Sequence, residues 1–213
     1  MAVNSAEFRA ALRQFPTGVT VVTTRDGEGR PCGLTANAFA SVSLDPPLVL
    51  VCIDRAATAH PALAIHGWFA INVLAKGQES LSRRFAASGE DKFAGVRFRE
   101  GRAGLPVLDG VVAALECRIV HRYEGGDHTI FVGEVETASD NGGQPLVYYD
   151  GGYHHLRCGW GWSSPRTGGP SCPRAPHRLG SNPAISDRTS LRVMRSSTSA
   201  TRRPSGSATS PAA

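Results

Sequence analysis

The chain has 213 residues, enough for one domain with a sizeable core. No run of eighteen apolar residues occurs, so no segment reads as a membrane-spanning helix. The net charge of +5 is uneven: residues 157–213 hold nine Arg, no Lys and one acid, a local +8 that leaves residues 1–156 at −3. The main part is therefore mildly acidic, and nucleic-acid binding by it is not expected. The N-terminal segment lacks a basic stretch followed by an apolar one, so no signal peptide is read and a cytoplasmic protein is expected. The five cysteines are odd in number and widely spaced, which suits neither a disulfide framework nor a zinc motif.

In chain order, Asn4 and Glu7 have capping-box spacing. Phe8, Leu12 and Phe15 recur at helical spacing, which predicts a helix over about 5–14. Pro16-Thr17-Gly18 breaks it. The β-branched run 19–24 suits a strand, and the Asp26-Gly27 turn suits a hairpin. Further strands are expected at 32–43, 48–53, 68–74, 113–123, 128–138 and 146–149, with helices near 60–66 and 78–88. Many short strands with few crossover helices predict a mainly β fold, an antiparallel barrel rather than a doubly wound sheet. No GxGxxG follows a strand and no GxxxxGK[ST] occurs. After Leu156 apolar periodicity ends in a Ser/Pro/Arg-rich stretch, read as a disordered tail over 157–213 beside a folded domain over 1–156. The absence of Lys and Glu from that tail suits an out-of-frame extension; a basic tail touching anionic partners is the alternative. His154, His155, Cys158, Cys172 and His177 match no zinc spacing, so no metal site is assigned.

Four clusters carry candidate chemistry. Read with period two, residues 33–44 place Leu, Ala, Ala, Ala, Val and Leu on even positions, an apolar face of mostly small residues suited to a barrel interior. Odd positions give Gly, Thr, Asn, Phe, Ser and Ser. That face either hydrogen-bonds a neutral heterocycle or phosphate, or is simply a polar outer surface. The segment Cys52-Ile53-Asp54-Arg55-Ala56-Ala57-Thr58 ends a strand. Arg55 and Thr58 suit a phosphate by charge and hydroxyl, and the same residues also read as a solvated turn. In Ser82-Arg83-Arg84-Phe85 the adjacent arginines point about 100° apart on a helix, so at most one faces a phosphate. Gly125-Gly126-Asp127-His128 is a tight turn into a strand. His128 is either structural or placed to orient a carboxamide or supply a proton near pH 7.

These clusters occur in a recognisable order. FRAALRQFPTGVTVVTT, GLTANAFASVSLDPPLVLVCIDRAATAH, FAINVLAKGQESLSRRF, DKFAGV, GGDHTIFVGEVE and PLVYYDGGYHHL together resemble the flavin reductase-like family. The resemblance covers about 6–156. It implies the FMN-binding split β-barrel, a Greek-key antiparallel fold with a few peripheral helices. It also implies a homodimer and hydride transfer from NADH or NADPH to FMN or FAD. Reduced flavin would serve a separate monooxygenase, and a split-barrel oxidase or a non-enzymatic flavin-binding module are the rival readings. By the same resemblance Thr35, Ala36, Asn37 and Ala38 would line the isoalloxazine, and Ser41 would reach the phosphate region. Cys52, Ile53, Asp54, Arg55, Ala57 and Thr58 would wrap the ribityl chain and phosphate. Ser82, Arg84 and Phe85 would contact the phosphate or adenine end. His128 would be the catalytic position near the nicotinamide, and Tyr153 would lie close to the cofactor. Family members end soon after the position of Leu156, whereas this chain continues for 57 residues.

Overall fold

The computed structural model describes residues 3–89 and 91–156, so the expected tail lies outside the described residues. Helix α1 (Ser5–Arg13) begins at the capping box read from the sequence. Asn4 Oδ1 accepts from the N–H groups of Ala6 and Glu7 at 3.0 and 2.9 Å, and Glu7 Oε2 accepts from Asn4 N–H at 3.2 Å. The strands are β1 (Thr17–Gly18), β2 (Thr20–Arg25), β3 (Pro31–Ala36), β4 (Phe39–Leu44), β5 (Pro47–Asp54) and β6 (Trp68–Val73). They continue with β7 (Phe98–Glu100), β8 (Pro106–Leu108), β9 (Ala113–Gly125), β10 (His128–Asp140), β11 (Leu146–Tyr149) and β12 (Gly152–His155). Helix α2 (His60–His66) precedes β6 and α3 (Glu79–Ala86) follows it.

Seven strands form one antiparallel sheet in the order β3-β2-β6-β9-β10-β5-β4. Its two edges, β3 and β4, are neighbours in the chain, separated only by Asn37 and Ala38. Three Cα steps of about 3.8 Å keep Ala36 and Phe39 within about 11 Å. The sheet must therefore curl until its edges meet, which makes it a split barrel. Beside this seam the Cys52 N–H donates to the Ala38 carbonyl at 3.0 Å, which extends the β4–β5 pairing up to the crossing. The single strand expected over 32–43 is thus two strands on opposite edges. One unbroken strand cannot occupy both edges, so the alternation read across Asn37 does not describe one face.

The barrel interior is filled by Val22, Val51, Ile53, Phe69, Ile71, Cys117 and Phe131. A second cluster, including Val21, Leu74, Phe85, Phe93, Leu105 and Leu146, lies on the other side of β2 and β6. Because both faces of β2 are covered, Thr20 to Thr24 are all buried rather than alternating. Burial is tolerated because each threonine hydroxyl is satisfied: Thr20 and Thr24 donate to the carbonyls of Ala36 and Trp68 at 2.6 and 2.8 Å, and Thr23 donates to Pro106. Asn72, fully buried on β6, donates to the Val21 carbonyl and accepts from the Leu108 N–H. Gly133 marks a bulge in β10. A Cβ there would stand 2.6 Å from Phe69 Cζ and 2.8 Å from Cys117 Cβ, so only glycine lets the two sides of the interior close.

Candidate functional site

Strand β5 alternates cleanly. Val49, Val51 and Ile53 are buried inside, and Leu50, Cys52 and Asp54 face outward. The register with β10 sets Cys52 opposite Ile130 and Asp54 opposite His128. Directly opposed residues share a face, so these four form one strip on the barrel's outer surface.

At the Cys52 end of this strip lies a cleft of about 500 Å³, within the range of roughly 300–1,000 Å³ typical of small-molecule sites. Its floor is Asn37, Ala38, Phe39, Ala40, Leu50 and Cys52. One wall is α1 and the turn after it, with Arg9, Leu12, Arg13, Phe15 and Thr17. Tyr148, Tyr149 and Asp150 form the other. The walls are tied together: Thr17 pairs with Tyr148 across β1 and β11, the Asp150 N–H donates to the Arg13 carbonyl at 3.0 Å, and Tyr149 Oη donates to Gln14 at 3.2 Å. The apolar side chains of α1 and the turn after it are not spent on the core, since Leu12 and Phe15 are 55% and 72% exposed. The result is a flat, largely apolar slot with neutral polar groups and two guanidinium groups at its margin. Burial pushes the Cys52 thiol up, so it stays neutral at physiological pH.

Beyond Cys52 the chain turns. Asp54 Oδ1 accepts from the Ala56 N–H at 2.8 Å, and the Arg55 N–H donates to the Asp127 carbonyl at 3.0 Å. That bond joins the Cys52–Thr58 loop to the turn carrying His128. Arg55 and Thr58 are exposed and Ala57 is half-buried. His128 Nδ1 lies 2.6 Å from Asp127 Oδ1, and this hydrogen bond holds the Asp127 carboxyl below the usual range. Gly126, at φ 74°, provides the left-handed step that the turn requires.

A second group assembles around α3. The Thr35 hydroxyl donates to the Ser82 carbonyl at 2.6 Å, so it anchors α3 to β3 rather than facing the cleft. Ser82 Oγ is 2.9 Å from Tyr153 Oη, and the Arg83 guanidinium sits 4.9 Å over the Tyr153 ring. Arg84 turns the other way, donating to the Ala94 carbonyl at 2.6 Å, as adjacent helical arginines must. Ser82 and Phe85 are fully buried, and Phe85 packs against Gly33 and Phe93.

The structure therefore brings Asn37, Ala38 and Cys52 into the cleft and sets Asp54, Arg55, Ala57, Thr58 and His128 along β5 and β10 beyond it. Ala36 and Ile53 are buried, Ile53 on the interior side of β5. Ser41 is exposed on β4 outside the cleft lining, and Ser82, Arg84, Phe85 and Tyr153 belong to the α3 group. Arg9, Leu12, Arg13, Thr17 and Tyr148 were not foreseen as cleft residues. A short amphipathic helix followed by Pro16 carries no signal of which surface it will roof. Among the described residues no group of three His, Cys, Asp or Glu side chains could hold a metal. Flavin fits the cleft in volume, in its largely apolar lining and in its uncharged floor, with Arg9, Arg13 and Asp150 at the margin.

Comparison with known proteins agrees. A family model described as flavin reductase like domain matches residues 12–157. A Rhizobium meliloti (strain 1021) protein named "Probable flavin reductase" is 46% identical over 145 residues, covering 68% of this chain and 47% of that protein, so the chain spans about half of that relative. A Rhodococcus jostii (strain RHA1) protein, the reductase subunit HsaB of a flavin-dependent monooxygenase, is 40% identical, covering 71% of this chain and 78% of that protein. Among solved structures, the Streptomyces globisporus NADH:FAD oxidoreductase SgcE6, in complex with NAD and FAD fragments, aligns at a TM-score of 0.69 and 42% identity, covering 74% of this chain and 97% of that one.

Proposed function

Because the chain belongs to the flavin reductase-like family, we propose that it is an NAD(P)H-dependent flavin reductase acting on FMN or FAD. The observation that carries this reading is the outer strip of β5 and β10. It leads from the cleft floor at Asn37, Ala38 and Cys52 to His128, so a ring in the cleft and a second ring met by His128 would share one surface. Flavin, when bound, would supply the redox chemistry as acceptor of hydride from a reduced nicotinamide. The protein's part is to seat and align the rings. Ala38 and Ala40 present small side chains that let a planar ring approach the strand. Asn37 and Cys52 offer neutral polar atoms. Arg55 and Thr58, at the loop past the strip, are placed for the phosphate of the same ligand. Asp127 accepts from His128 Nδ1, which leaves Nε2 free to meet a nicotinamide carboxamide. Nε2 is then the atom that holds or accepts a proton. Arg83 and Tyr153, the latter bonded to the buried Ser82, offer a surface for the remainder of the dinucleotide, with Thr35 holding α3 in place.

Following the nicotinamide absorbance with NADH or NADPH and added FMN or FAD tests the reading. Flavin-dependent loss of the band is expected, and its absence with every pairing would overturn it. The name of the Rhodococcus relative supports a separate monooxygenase as the receiver of reduced flavin. A homodimer is supported by Phe8, Leu12, Phe15, Val42 and Leu44, which are 44–72% exposed on α1, the turn after it and β4. Sedimentation checks it, a monomer at micromolar concentration being the contrary result. No helix among the described residues is long and apolar enough to cross a membrane.

A further inference from the structure

We propose that Thr17, at the start of β1, is a further flavin-contacting residue whose hydroxyl bonds a neutral polar atom of the flavin ring. This rests on the flavin reductase reading. Thr17 Oγ1 is buried and has no hydrogen-bond partner, and it is the one such side-chain atom among the described residues. A buried hydroxyl left unpaired is destabilising. The contrast lies a few residues on, where Thr20, Thr23 and Thr24 each donate to a backbone carbonyl. The sheet does not need the Thr17 hydroxyl, because β1 is held to β11 through its backbone register with Tyr148 and Val147.

Thr17 stands on the cleft wall among Leu12, Phe15, Phe39 and Tyr148, with the Asn37 amide on the floor and Arg9, Arg13 and Asp150 elsewhere in the lining. Apolar and aromatic neighbours with one neutral amide suit a flat ring bearing carbonyl and N–H edges. A phosphate dianion would instead be met by the Arg9 and Arg13 guanidinium groups, the cationic donors of the same lining. A hydroxyl both donates and accepts, so it can answer either kind of ring atom. Rotation about χ1 carries Oγ1 among the staggered positions of one Cβ. A ring seated in the cleft can therefore recruit the hydroxyl without breaking any bond the protein already makes.

Thr17→Val keeps the shape and removes the hydroxyl; Thr17→Ser keeps the hydroxyl. The full chain and both variants are compared by melting of the flavin-free protein and by Kd for riboflavin and for FMN, with NADH oxidation followed on the unmodified chain. The expected result is that flavin-free T17V melts at or above the unmodified chain. Its Kd for both flavins rises by the same factor, about 3- to 10-fold for one hydrogen bond, and T17S binds as the unmodified chain does. A T17V protein melting several degrees lower marks the hydroxyl as structural and overturns the proposal. Unchanged Kd values overturn it as well, and so does a rise for FMN alone, which would assign the contact to the phosphate. If the unmodified chain neither binds flavin nor oxidises NADH with it, the flavin reductase reading itself fails.

Discussion

At the residue scale, His128 differs from the side chains around it in being half-buried, tethered by Asp127 and free at Nε2. The expected outcome for His128→Ala is a fall in kcat of about 100-fold, the lower end for one proton-transferring group. Its flavin Kd should stay within about twofold, since one interaction away from the flavin is lost. Stopped-flow reduction beside flavin titration reads both, and equal losses would make His128 structural. The cysteines set a pH dependence. Burial, with Glu116 nearby, pushes the Cys117 thiol up to about 12, and burial pushes Cys32 up to about 11, from the ordinary 9.0. Both hold their protons in the folded chain at pH values where the unfolded chain has released them. Their contribution to stability is therefore complete below pH 9 and declines as pH rises through 11 and 12. Melting temperature should fall from pH 8 to about 10.5, and Cys117→Val should flatten that fall. Asn37, Cys52 and His128 stood out as candidates through motif order and the family resemblance. The bond of the Thr35 hydroxyl was not legible, because its carbonyl partner on Ser82 lies 47 positions away.

At the element scale, the long hairpin of β9 and β10 is the part on which the other strands register. β6 pairs with one side of it and β5 with the other. Its bulge at Gly133 lets Phe69 and Cys117 approach the backbone. Gly133→Ala should destabilise the protein by about 1–3 kcal/mol through overpacking, read as a lowered midpoint in denaturant with unchanged slope. Because β10 carries His128 and sets the register of Cys52, the variant should also slow turnover where it remains folded. Helix α1, β2, β5, α2, β6, β9, β10 and β11 were legible because their periodicity or β-branched runs are local properties. The pair β7 and β8, three residues each, and the four-residue β12 carry too few positions to show a period. The break at Asn37 was hidden because Thr35-Ala36-Asn37-Ala38-Phe39 continues a strand-like pattern through the point where the chain changes edge.

At the scale of the whole molecule, a rolled sheet leaves one outer surface strip and roofs it with segments from both ends of the described chain. α1 and β1 come from the beginning, β11 and its turn from the end. The folded unit proposed over 1–156 contains the described cleft residues. A chain ending at Leu156 should therefore keep its melting temperature within about 2 °C and its NADH:flavin turnover within about twofold, since those walls and floor all remain. Loss of either would assign residues 157–213 a part in the fold or the site. The same geometry explains why α1 and the turn after it offer apolar side chains that the barrel does not bury, the face on which the proposed homodimer would rest.

The sequence by itself determined the fold class, most of the elements, the family and the residues that cluster in Thr35–Ala38, Cys52–Thr58 and around His128. These follow from local patterns and from motif order, which survive in one dimension. Only the tertiary structure decided which of those residues share a surface. Curling the sheet until β3 meets β4 turned Thr35 toward α3, buried Phe85, opposed Asp54 to His128 and brought Thr17 onto the cleft. Side-chain direction depends on strand register and on which face a neighbour covers, and both are set by contacts between residues far apart in the chain.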